Sequence, residues 1–312
     1  MVLSPTASAS TQSELRQASL TAQEGPSTVR LYCAEVPSRC GYPDGTNTGL
    51  PSGTTLRVVP GQVSSGPGWH YNALLHYVEV NGKGAILSSL YIPYNLDISA
   101  SGVTIKDSHI VTSGSFGISL RHAAGTIIED SVISGRDATI GRLDAGIMDI
   151  YGDSTGLLIQ HNNILYARTA VLVDTGTVSG NYIHAFGYML GDHTNGVFVP
   201  GSTAPLTIYD NTILDGYGQT DAISLDSPAP GRPVANKTVK GNLLAGGSYT
   251  LYGGASLRNI TSNILIEDNR FSNVYYPKCG QYGPAAYFDL HGAGNAWFGN
   301  IWDNSGRTVP PP

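Results

Sequence analysis

Apolar positions in this chain fall in short runs of β-branched or leucine residues that alternate with polar neighbours and stop at a polar turn. Eight phrases align on that turn: VTIKDSHI (103–110), TIIEDSVI (126–133), LLIQHNNI (157–164), TVSGNYI (177–183), LTIYDNTI (206–213), TVKGNLL (238–244), LIEDNRF (265–271) and WFGNIW (297–302). The aligned polar residues are Ser108, Ser131, Asn162, Asn181, Asn211, Asn242, Asn269 and Asn300, with spacings of 23, 31, 19, 30, 31, 27 and 31 residues. A period of this size with irregular insertions is one coil of a solenoid, because insertions can leave at the turns while the core stays in register. The intervals carry no 3.6-residue apolar pattern, which excludes a βαβ fold. The pattern predicts an all-β, single-domain right-handed parallel β-helix of roughly 8–10 coils.

Asparagine suits such a turn because it tolerates left-handed backbone angles and its amide can bond the amide one coil away. The repeat therefore predicts an asparagine ladder with a structural role. A second strand class precedes each phrase: GISLR (117–121), GIMDIY (146–151), AVLVD (170–174), GVFVP (196–200), AISLD (222–226), YTLYG (249–253) and AYFDL (286–290). Period-2 alternation is expected to send Met148, Val173, Val199 and Leu225 inward, leaving Asp149, Asp174, Pro200 and Asp226 in one outward column stepped by about 4.8 Å.

Residues 1–30 read as a flexible leader, without the basic start and apolar core of an intact signal peptide. Residues 31–306 form the β-helix domain, with 31–96 as irregular first coils and cap, and 307–312 a tail. Cys33 and Cys40 suit a local disulfide of an oxidising compartment or two buried thiols, and Cys279 is a free or packed thiol. A formal charge of −6 and only 17 scattered Lys and Arg argue against nucleic acid. No apolar run is long enough for a membrane span.

From Val103 to Trp302 the phrases resemble the pectate-lyase-like superfamily of right-handed β-helices, which includes polysaccharide lyases, glycoside hydrolases and phage tailspikes. The segment Gly41 to Leu56 resembles the entry segment of β-helix proteins from actinobacteria and their phages. The resemblance implies a polysaccharide partner and a secreted enzyme, lyase or glycoside hydrolase. Its alternative is a non-catalytic glycan-binding or structural protein of a virion, such as a tailspike domain. The enzyme would be a monomer and the tailspike a trimer. Of the polygalacturonase motifs, only Thr194-Asn195-Gly196 and Thr220-Asp221-Ala222 have counterparts here.

Chemistry is expected on the outside of one sheet, between Asp144 and Arg232. The candidate catalytic residues are Asp149, Asp174, His193, Asp221 and Asp226, and the candidate substrate-binding residues are Asp144, Tyr151, Asp192, Asn195, Tyr217 and Arg232. Stacked carboxylates repel, which raises one pKa and creates an acid beside a base; glycoside hydrolysis needs such a pair at about 5–5.5 Å or 6.5–9.5 Å. His193, oriented by Asp192, is the candidate base for an elimination. No cofactor is required, although the same column could take calcium. Against each Asp stands the plain role of capping a turn.

Overall fold

The computed structural model describes residues 32–225, 231–258 and 260–312. The leader and Asp226 lie outside the described residues. Short strands assemble into three sheets of 11, 9 and 10 strands, here called sheets 1, 2 and 3 in the order each coil visits them. One coil shows the path: Leu143–Asp149 in sheet 1, Leu158–Gln160 in sheet 2, Asn163–Leu165 in sheet 3, then Ala167–Leu172 back in sheet 1. Each strand pairs in parallel with its counterpart one coil on. The parallel right-handed β-helix read from the repeat is thus the fold. Seven coils, from Leu96–Ile98 to Arg270–Phe271, have neighbours on both sides in all three sheets, and one further coil flanks them at each end.

Three-residue strands with an apolar centre explain the core. Ile128, Ile159, Val178 and Ile208 point inward from sheet 2, and Ile133, Ile164, Ile183 and Ile213 from sheet 3, all at most 1% exposed. Their flanking residues face outward, as period-2 geometry requires. Burying each such side chain is worth about 1.5–3 kcal/mol. At the N-terminal end the sheet 1 pattern changes: Tyr77–Val80 pairs antiparallel with Trp69–Asn72, and the buried Trp69 covers the first coil.

The turn between sheets 2 and 3 is two residues long in every coil after the first, where Ser89 alone makes it. The first of the pair, for example Asp130, His161, Asp210 or Asp268, has a φ near +50°, and Gly180, Gly241 and Gly299 fill the same place at +62° to +67°. The second is the ladder residue, fully buried. The sequence reading gave the left-handed angle to the asparagine; the structure gives it to the residue before, and the asparagine is selected by hydrogen bonding. Asn211 shows the pattern. Its Nδ2 donates to Asn242 Oδ1 at 2.9 Å and to the Val178 carbonyl at 2.9 Å, and its Oδ1 accepts from the Asn181 backbone N–H and Nδ2, both at 3.0 Å. The same scheme runs from Asn162 to Asn300, and Ser131 and Ser108 continue it with one hydroxyl each.

Residues 32–56 depart from the expected order. They form a strap over the outside of sheet 3 instead of a first coil. Cys33 and Ala34 donate backbone N–H groups to the Asp303 carboxylate at 3.1 and 3.3 Å, on the last coil. The strap then reaches the His161 carbonyl through Gly49, at 2.8 Å, and enters sheet 3 beside Leu90–Ile92 through Arg57–Val58. The reason is apolar: Cys33, Ala34 and Tyr42 pack on Leu214, Leu243 and Ala245, which the sheet leaves on its outer face. A Cys33–Cys40 disulfide closes the start of the strap. Burial raises the Asp44 carboxyl, but hydrogen bonds from Ser38 and Thr46 outweigh it and bring it to about 2. Within residues 307–312, Val309 is fully buried and its N–H donates to the Asn300 carbonyl, while its neighbours are exposed.

Candidate functional site

Register on sheet 1 decides what faces out. Ile147, Val171, Val197 and Ile223 pair in one inward row, and Met148, Leu172, Phe198 and Ser224 in the adjacent outward row. That row continues to Ser119, Asp97 and Glu79 at one end and to Tyr252 and Ala286 at the other. The outward column predicted from sequence is therefore off by one residue at Met148, which points out and not in. Because Met148 pairs with Leu172, Asp149 is one step out of line with Asp174.

The candidate carboxylates are largely spent on structure. Asp149 is 3% exposed and caps a turn, accepting from Ser154 N–H at 3.0 Å and Ser154 Oγ at 2.9 Å. Asp174 is 8% exposed beside the fully buried Lys237. Lys237 Nζ donates to the carbonyls of Asp174 and Ala204 at 2.8 and 2.6 Å and lies 3.9 Å from Asp174 Oδ1. Burial lowers the Lys237 ammonium to about 8 against the pull of Asp174, and burial raises the Asp174 carboxyl. These two aspartates sit where sheet 1 hands over to sheet 2. Asn195 and Asp221 instead pair in register near the start of their strands, at the corner with sheet 3, and Asp221 is fully buried. The predicted set thus divides between opposite ends of the sheet 1 strands.

At the sheet 3 corner the other candidates do meet. Arg142 bridges Asp144, at 2.5 Å, and Asp192, at 2.7 Å, and Arg168 lies 3.8 Å from Asp144. Asp192 also accepts the Met189 N–H, so it does not orient His193; the exposed His193 ring lies 3.0 Å from the Gln219 amide. Tyr217 stacks on Tyr188 with centroids 4.4 Å apart. Tyr151 lies at the far corner, stacked on His122 at 4.5 Å, and Arg232 is exposed ahead of the Pro233–Lys240 strand. Among the described residues no three His, Cys, Asp or Glu side chains are placed to hold a metal ion.

Asp215, missed by the sequence reading, is fully buried under this corner. Burial lifts its carboxyl to about 7 despite hydrogen bonds from Thr194 Oγ1 and the Tyr217 N–H. The hydrogen bonds agree with a protonated group. Thr194 Oγ1 lies 2.7 Å from Asp215 Oδ2 and 2.6 Å from the Gln219 carbonyl, and its single proton can serve only one of them. If Asp215 carries a proton, it donates to Thr194, which donates onward.

The outward row itself carries the groups the sequence reading passed over. Partly exposed Met148, Leu172 and Phe198 occupy its middle coils. Tyr252 follows, within a tyrosine group in which Tyr249 lies 5.8 Å from both Tyr252 and Tyr282, and Tyr287 stacks on Tyr252 at 5.7 Å. At the other end Tyr77, Asp97, Phe116 and Arg121 line a cavity of about 610 Å³. Aligning each second-class strand on its inward residue would have found the row, since the outward residue is always the next one.

Residues 83–213 match a family model described as a right-handed β-helix region. With its sheets and ladder, the chain is a right-handed parallel β-helix protein. No curated protein and no solved structure matches it.

Proposed function

We propose that this protein binds a carbohydrate chain along the outward face of sheet 1. The observation that carries the reading is the single outward row from Glu79 to Tyr252, about 34 Å long at one strand spacing per coil. It changes from polar groups through Met148, Leu172 and Phe198 to a tyrosine cluster. Sugar rings present apolar C–H faces with polar rims, and tyrosine offers a flat apolar body with a polar tip. A rigid sheet holds such groups at a fixed pitch and spends little ordering entropy on binding.

Binding without cleavage is favoured, because Asp149, Asp174 and Asp221 are buried and cannot reach a polymer on that face. Cleavage remains the second reading on one observation: the half-buried Asp144 and the exposed His193 stand beside the same strands. Affinity electrophoresis against a panel of soluble polysaccharides tests binding. Retardation by at least one polymer, lost in Tyr252→Ala, is expected; a wild-type protein retarded by none would overturn the reading. Reducing ends or the ultraviolet absorbance of an unsaturated product would restore the enzyme, and their loss in His193→Ala would place it.

A further inference from the structure

Resting on that reading of sheet 1, we infer that the cavity at its N-terminal end is a subsite for an uncharged sugar ring and excludes uronates. Leu75, Tyr77, Asn95, Asp97, Phe116 and Arg121 line its volume of about 610 Å³. Tyr77 and Asp97 face outward from neighbouring coils, flanking the buried Val78 and the buried Leu96 and Ile98 of the core. The cavity opens on the same face as Tyr252, six coils away.

Its polar groups form a rigid pair. Asp97 Oδ2 accepts from Arg121 Nε at 2.7 Å and from Ser119 Oγ at 3.1 Å. Arg121 Nη1 reaches the Tyr151 phenol at 3.4 Å, and its guanidinium lies 5.9 Å from the Tyr151 ring centre. An aspartate and an arginine joined by one hydrogen bond leave acceptors and donors side by side, which suits two neighbouring hydroxyls of a sugar ring. Tyr77 and Phe116 supply aromatic surface for the ring face.

Charge decides between sugar classes. Glu79 stands next to Asp97 in register and bonds the Tyr77 hydroxyl at 3.3 Å. Within the lining Asp97 and Arg121 offset each other, and Glu79, which adjoins the cavity and lies 3.5 Å from the His70 ring, adds a further negative charge, so a uronate carboxylate meets repulsion. The recognition is therefore of a neutral pyranose, with specificity drawn from a repulsive element as well as an attractive one.

The test uses the full chain and calorimetric titration with cellohexaose, mannohexaose, xylohexaose and a hexagalacturonate. At least one neutral hexasaccharide is expected to bind, and the hexagalacturonate at least tenfold more weakly. Phe116→Ala should weaken the neutral ligand about tenfold, as expected for loss of an aromatic contact. Asp97→Asn, which keeps the shape, should weaken it similarly and narrow the gap to the hexagalacturonate. If both variants bind neutral ligand as the wild type does while Tyr252→Ala abolishes binding, the subsite is wrong and the face survives. Tighter binding of the hexagalacturonate would overturn the charge argument, and no binding of any probe would remove both the subsite and the face.

Discussion

Two corners of the same solenoid follow opposite rules. Between sheets 2 and 3 every turn after the first coil has two residues, one left-handed and one ladder residue. Between sheets 3 and 1 the turn grows from Tyr166 alone to the eleven residues 272–282. The first corner is locked because each ladder side chain completes the hydrogen bonds of its neighbours, so an insertion would orphan buried groups on two coils. The second has no such ladder, and there the loops gather Arg142, Asp192, His193 and the Tyr188–Tyr217 stack. A solenoid can vary one edge because another edge holds the register.

The sharpest way to break this contrast is at the ladder. Asn211→Leu takes the ladder partner from the Val178 carbonyl and the Asn181 N–H, at about 1–3 kcal/mol each, and one of two acceptors from the Asn181 amide, which keeps the Ile159 carbonyl. A loss of about 5 kcal/mol is expected in denaturant unfolding. Ser131→Ala, which removes one hydroxyl bonded to Ser108 and Glu129, should cost only about 2 kcal/mol. Equal costs would show that the ladder is not a chain of mutual support.

Next comes pH at the variable corner. The folded value of Asp215, about 7, lies above the ordinary 3.8. The folded state then holds this proton more tightly than the unfolded chain does. Its contribution falls as pH rises from about 4 to about 7 and is level outside that window, by at most about 4 kcal/mol. Thermal unfolding of Asp215→Asn should lose this slope, because the amide donates to Thr194 as the protonated acid does. A slope unchanged in Asp215→Asn would assign the pH dependence elsewhere.

The smallest effect on stability is expected on the outer face. Tyr252→Ala should shift unfolding by under about 1 kcal/mol while weakening glycan binding about tenfold. A large loss of stability there would make the tyrosines structural.

Architecture was legible because it is written locally. The centre of each short strand and the ladder residue just before each sheet 3 strand repeat in the chain, and stacking turns that repeat into sheets and ladder. The site was less legible because register depends on pairing across coils. Leu120 pairs with Asp149, and Met148 with Leu172, which no single strand reveals. A shift of one residue exchanged Met148 for Asp149 and turned buried caps into an apparent catalytic column. Burial of Asp174 against Lys237 joins residues 63 apart in the chain, and the strap's seat on sheet 3 joins residues 270 apart. Neither leaves a local pattern. The Cys33–Cys40 bridge, seven residues apart, did.

That strap has a consequence for how the chain is made. Cys33 is among the first of the described residues to leave the ribosome, and its partner Asp303 is among the last. At roughly 5–20 residues per second, the intervening stretch takes about 14–54 s to synthesise. Until then the apolar side of Cys33, Ala34 and Tyr42 has no final seat, while the coils behind it are already able to stack one by one. The earliest of the described segments to be made is the last to be fastened, and it ties the last coil back towards the first.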